Sequence, residues 1–181
     1  MKGIVFSEFI ELVEEVFSPQ IADEIITESD LASEGAYTSV LTYDHHELIA
    51  MVSKLSEKTN IPVPELVKTF GQHLAKRFAE QYPQFFENVN TTFDFLDSIE
   101  NHIHVEVKKL YSDAQVPSFQ TERPGPDSMK MIYSSERPFA DLAEGLILGT
   151  SEYYGESLSI RRQDWQEGKM NFAKFELTIQ G

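Results

Sequence analysis

Residues 103–119, IHVEVKKLYSDAQVPSF, decide the fold, because the chain changes character inside them. Upstream, apolar residues recur at helical spacing; downstream, they fall into short strand-like runs. The segment from about Thr92 to Tyr111 reads as one helix, and after SDAQVP the run SFQTER (118–123) reads as the first strand. SMKMIYSSE (128–136), SLSIRRQDW (157–165) and NFAKFELTIQ (171–180) read as further strands, the last two flanking a hairpin loop at QEGKM. One helix, PFADLAEGLILGTSEYYG (138–155), interrupts them.

The N-terminal half reads as helical. Val5, Phe9, Leu12, Val13 and Val16 form an apolar stripe over residues 3–17, with glutamates on the other face. A short helix follows at IADEIITES (21–29), then a loop, SEGAYTSVLTYD (33–44). Asp44 is placed to cap the helix HHELIAMVSKLSEKT (45–59). Pro64 suits the first turn of a helix running through ELVKTFGQHLAKRFAEQY (65–82), and PQFFENVN (83–90) reads as a connector. The expected class is therefore α+β: a helical N-terminal half, then a four-stranded antiparallel sheet with an inserted helix.

Composition narrows the function. The 181 residues carry 41% hydrophobic and 12% aromatic side chains, enough for one domain with a real core. The 13 phenylalanines can line an apolar cavity as well as fill a core. A formal net charge of −15 argues against nucleic acid or an anionic membrane as partner. It suits a basic protein partner, or simply a soluble surface. With no cysteine, disulfides, thiolate haem ligation and cysteine-held iron–sulfur clusters are excluded. No run is long and apolar enough to span a membrane and the opening is no signal peptide, so a cytoplasmic protein is expected.

There is no phosphate-binding glycine loop and no nucleophile elbow. His45 and His46 are adjacent, and on a helix such side chains diverge by about 100°, which argues against a shared metal ion. His102 and His104 would likewise splay if their segment is helical. A structural zinc site is not expected. Haem asks for less: one imidazole, a flat apolar pocket and a grip on two carboxylates. In KMIYSSERP (130–138), Tyr133, Ser135 and Arg137 stand at strand spacing, so their side chains are expected on one face, two neutral donors and a guanidinium. Each piece alone has an ordinary counterpart: a polar strand face, an exposed helix histidine.

Taken together, MKGIVF at the start, GAYTSVLTYDH, IHVEVKKLYSDAQVPSF and YSSER resemble the haem nitric oxide/oxygen binding (H-NOX) family, related to the haem domain of soluble guanylate cyclase. The resemblance runs in family order along the whole chain. It implies a single H-NOX domain over 1–181, with a helical distal part at about 1–62, a proximal part at about 63–181 and haem b buried between. It implies that His104 is the proximal iron ligand, that Tyr133, Ser135 and Arg137 hold the propionates, and that Pro117 presses on the porphyrin. Oxygen-binding members carry a distal tyrosine where Leu142 stands here. Val5, Phe9, Leu74, Phe78, Leu142 and Leu146 are the candidates for the distal wall. The implied function is a sensor, not an enzyme, that binds NO and CO at ferrous haem and signals by releasing His104. No output domain fits in the chain, so a separate histidine kinase or cyclic-di-GMP enzyme is the implied partner. A haem oxidoreductase or dioxygenase, and an acidic adaptor without cofactor, are the alternatives.

Overall fold

The computed structural model describes residues 1–180. Helix α1 (Gly3–Val16) buries Phe9, Leu12 and Val13 of the expected stripe, and with them Phe6, which the stripe did not include; Val5 is half-buried and Val16, at the end of the helix, is exposed. Helix α2 (Pro19–Glu28) begins earlier than the apolar pattern suggested. Ser18 caps it by accepting from the Ile21 amide, and Pro19 loses no hydrogen bond in the first turn. Helices α3 (His45–Thr59, capped by Asp44) and α4 (Val63–Gln81) complete the N-terminal cluster, and the short α5 (Pro83–Phe86) occupies the expected connector.

The expected helix from Thr92 to Tyr111 is not continuous. Helix α6 (Thr92–Ser98) passes into a π-helical turn over Ile99–Ile103, and α7 (His104–Leu110) follows. The His104 amide closes the π-turn by donating to the Ile99 carbonyl, five residues back. Such a turn carries an extra residue, which rotates everything beyond it relative to α6.

Strands β1 (Ser118–Gly125), β2 (Ser128–Ser135), β3 (Ser157–Glu167) and β4 (Met170–Gln180) form an antiparallel sheet in the order β1-β2-β4-β3, with helix α8 (Ala140–Tyr153) inserted between β2 and β3. The α+β class is as the sequence indicates. Register explains the buried face: Met129 pairs with Leu177, Met131 with Phe175 and Tyr133 with Ala173, and all are buried. The loop in QEGKM is tighter than expected, since β3 and β4 remain paired to Glu167 and Met170. Gly168, at φ +59°, makes that turn.

Two contacts hold α1, α4 and α8 together. Glu8 of α1 is buried and accepts from Arg77 Nε at 2.8 Å and Gln81 Nε2 at 2.6 Å, both near the end of α4. Helices α4 and α8 meet along glycines. A Cβ on Gly71 would lie 2.5 Å from the Leu142 carbonyl oxygen, and one on Gly145 would overlap the Lys68 carbonyl. Backbone cannot yield as a flexible side chain can. Gly145→Ala is therefore expected to cost about 1–3 kcal/mol, the usual range for overpacking. For a domain of this size that lowers the melting temperature by roughly 2–4 °C per kcal/mol. Thermal unfolding followed by circular dichroism checks this; an unchanged melting temperature would mean the helices are not packed this closely.

Candidate functional site

A cavity of about 340 Å³ lies between the N-terminal helices and the sheet. Its walls come from α1, α4, the π-turn, α7, β1, β2 and α8, and nearly all are apolar. Val5, Leu74, Phe78, Leu142 and Leu146 form one side, with His104, Pro117 and Phe119 also in the lining. Phe9 is not there. It lies in the core of the helical half, edge-on to Phe70 at 5.2 Å. Val5 and Phe9 share one apolar stripe, but only the first turn of α1 reaches the cavity.

His104 is the imidazole of the lining and is 9% exposed. His102 is exposed at the surface, edge-on to Phe85. The π-turn separates their fates, and helical periodicity alone could not. Glu100, one helical turn back, sets the ring. Its Oε2 is 3.4 Å from His104 Nδ1 and also accepts from the Phe119 amide at 3.0 Å. One carboxylate thus ties the histidine to the first residues of β1. With Nδ1 donating, Nε2 carries the free lone pair. Burial holds the His104 pKa below the ordinary histidine value, although Glu100 pulls it upward. At neutral pH the ring is uncharged and able to ligate a metal. Glu100 was not singled out from the sequence, yet its i, i+4 spacing from His104 was a readable signal.

Tyr133, Ser135 and Arg137 come together, but not as a row on one strand face. Strand β2 ends at Ser135, and the chain turns before Arg137. Tyr133 Oη donates to the Arg137 carbonyl at 2.8 Å, and Ser135 Oγ accepts from the Arg137 amide at 3.0 Å. The first two residues therefore position the backbone of the third. The guanidinium sits at the cavity mouth and donates to the Gln115 carbonyl at 3.1 Å and to Gln115 Oε1 at 2.5 Å. Among the described residues Arg137 has no carboxylate partner, and neither has Arg161 on β3, whereas Arg77, Arg123 and Arg162 are paired. Gln115 lies in the loop before β1, where no periodicity marks it. Tyr82 is a further lining residue the sequence did not single out; it extends the Leu74–Phe78 line of α4 by one turn.

Gln115, Val116, Ser135 and Arg137 also line a second, outer groove of about 930 Å³. His45 and His46 stand on its rim, and here the angular argument fails. The two rings lie 4.2 Å apart, both turned back on the Asp44 carboxylate that caps α3. The Met1 amine donates to the Tyr43 carbonyl at 2.7 Å; burial and the nearby Arg137 lower its pKa to about 6.

The donor set fits haem. It comprises an apolar cavity, one buried neutral imidazole with its second nitrogen oriented, and a guanidinium at the mouth held by neutral oxygens. Comparison with known proteins agrees. Residues 2–162 match the model of the haem-NO-binding family. The Fe(II) unliganded H-NOX protein from K. algicida is 37% identical, with a TM-score of 0.93 over 100% of this chain and 97% of that one. The H-NOX from Shewanella woodyi, in its Fe(II)CO state with IWP-051 bound, is 40% identical, with a TM-score of 0.83 over 98% and 94%. An H-NOX protein from S. oneidensis in the Fe(II)NO state, 23% identical, shares the fold at a TM-score of 0.91, covering 100% of both chains. No curated protein matches the chain.

The opposed influences on His104 give a signed prediction. Glu100→Gln removes the group that raises the pKa and leaves burial, which lowers it. The ring should titrate lower still in the ligand-free chain, as read from its proton resonances. Because the folded value lies below the unfolded value of about 6.5, His104 makes stability fall as pH drops through that value. In Glu100→Gln the fall should continue to lower pH. A His104 pKa that rises in the variant would contradict this assignment.

Proposed function

This chain belongs to the haem-NO-binding family of haem-based gas sensors, and from that membership we propose that it is an NO sensor that signals to a separate effector protein. Members of the family bind haem and diatomic gases such as NO and CO. The observation that carries the proposal is His104: the imidazole of an apolar cavity, neutral and oriented by Glu100. Haem b, the proposed cofactor, would be held by His104 and would supply a ferrous iron able to bind a diatomic gas.

The chain's own groups then have assigned parts. His104 holds the iron through Nε2. Arg137 holds the haem carboxylates, exchanging the Gln115 oxygens for a charged acceptor, and charge-assisted bonds are worth roughly 1.5–3 kcal/mol. Tyr133 and Ser135 aim Arg137, and Pro117 presses on the macrocycle. Val5, Leu74, Phe78, Leu142 and Leu146 would keep the gas side dry, and none of the five is a donor; of the hydroxyls that line the cavity beside them, Thr150 is committed to the Leu146 carbonyl and Tyr82 stands one turn beyond Phe78. Bound dioxygen carries partial negative charge and gains from a donor; NO and CO need one far less. The proposal is therefore selective for NO and CO.

The protein acts as a sensor rather than an enzyme. Release of His104 on NO binding frees α7 to move, a two-state change that a partner can read. The coupling is limited by the differential affinity of NO for the two states; a tenfold change in partner affinity needs about 1.4 kcal/mol. A histidine kinase or a cyclic-di-GMP enzyme is the proposed reader. The proposed division into distal and proximal parts is at about residue 62; of the two apolar clusters, the first also takes in Leu66 to Leu74 of α4 together with Phe139 and Leu142. No helix among the described residues is long and apolar enough to cross a membrane.

Histidine assignment provides the test. His104→Gly should purify without haem unless imidazole is supplied, while His102→Gly keeps it. Loss of haem from His102→Gly alone would overturn the reading.

A further inference from the structure

Asp44, His45 and His46 cluster at the rim of the outer groove, outside the lining of the apolar cavity. Asp44 Oδ1 lies 3.4 Å from His45 Nδ1 and 2.8 Å from His46 Nδ1. One ligand atom from each of the three residues lies within 4.8 Å of the others. A zinc-sized ion binds imidazole nitrogen and carboxylate oxygen at about 2.0–2.2 Å. Ligand atoms at that radius are about 2.9 Å apart at right angles and about 3.3 Å apart at the tetrahedral angle. Both carboxylate–imidazole separations therefore already match the edges of a coordination polyhedron. The longest separation closes by rotation of His46, whose side chain is 74% exposed. His45 is less free, since its ring stands edge-on to Phe139 at 5.9 Å.

We propose that Asp44, His45 and His46 bind a divalent first-row transition ion, zinc being the expected occupant, in an open site completed by water. Two imidazoles and a carboxylate are the donors zinc takes in open sites, whereas magnesium and calcium prefer all-oxygen shells. The nearby Arg137 guanidinium and the positive end of α3 oppose a cation. The Asp44 charge offsets them only in part. The affinity expected is micromolar, well short of a closed structural site.

The test is calorimetric titration of zinc into chelator-treated, haem-loaded protein. One equivalent should bind. His46→Gln and Asp44→Asn, both exposed changes, should each weaken it about tenfold or more, since even outer groups of a metal site cost that much. His102→Gln should leave it unchanged. With a net charge of −15, diffuse binding to carboxylates is the rival outcome. Zinc affinity equal in His46→Gln and parent, an equal response to magnesium, or no binding up to millimolar zinc would each overturn the proposal.

Discussion

The structure depends on one buried imidazole being held neutral and fixed in direction inside an apolar cavity. A histidine there tends to turn away or draw in water, because burial without a partner is costly. Glu100 meets that cost for His104, and the same carboxylate takes the Phe119 amide at the start of β1. The helical segment and the sheet are thereby joined through the residue proposed to ligate iron. A displacement of α7 must disturb this shared carboxylate, so the sensing residue and the mechanical joint are adjacent. The π-turn belongs to the same arrangement, since it brings Ile99, Ile103 and His104 into the lining and leaves His102 outside.

The opposite wall is rigid for a different reason. Glycines let α4 and α8 approach until backbone meets backbone, and the buried Glu8 fastens α1 to the end of α4. Only Glu8 of this pair is buried, the Arg77 side chain being about a third exposed, so removing Arg77 would leave a buried carboxylate short of its charged donor. Val5, Leu74, Phe78, Leu142 and Leu146 are therefore carried on elements that cannot easily shift. A stiff wall together with a helix proposed to move is the asymmetry that a two-state sensor needs.

Much of this was legible in the sequence because it rests on periodicity. The stripe of α1, the Asp44 cap and the alternation of β2 and β4 are local patterns, and they fixed the α+β class. What escaped depends on tertiary contacts or on departures from ideal geometry. The π-turn leaves no trace in hydrophobic spacing. Phe9 and Val5 are equivalent in pattern and differ only in what packs above them. Arg137 was placed on a strand face because the strand was carried past Ser135, where it in fact ends. His45 and His46 were judged by helical angles, but the carboxylate between them outweighs the angle. His104 itself was chosen by resemblance, not by its position on the stripe.

The central claim is that His104 and the cavity make a ferrous haem site that takes NO and not dioxygen. The most direct measurement is the absorption spectrum of the purified ferrous protein, recorded alone, with NO and in air. The account predicts a haem Soret band that shifts on adding NO and gives no stable oxygenated spectrum in air. A colourless protein after expression with ample haem, or a stable oxygenated form, would contradict it.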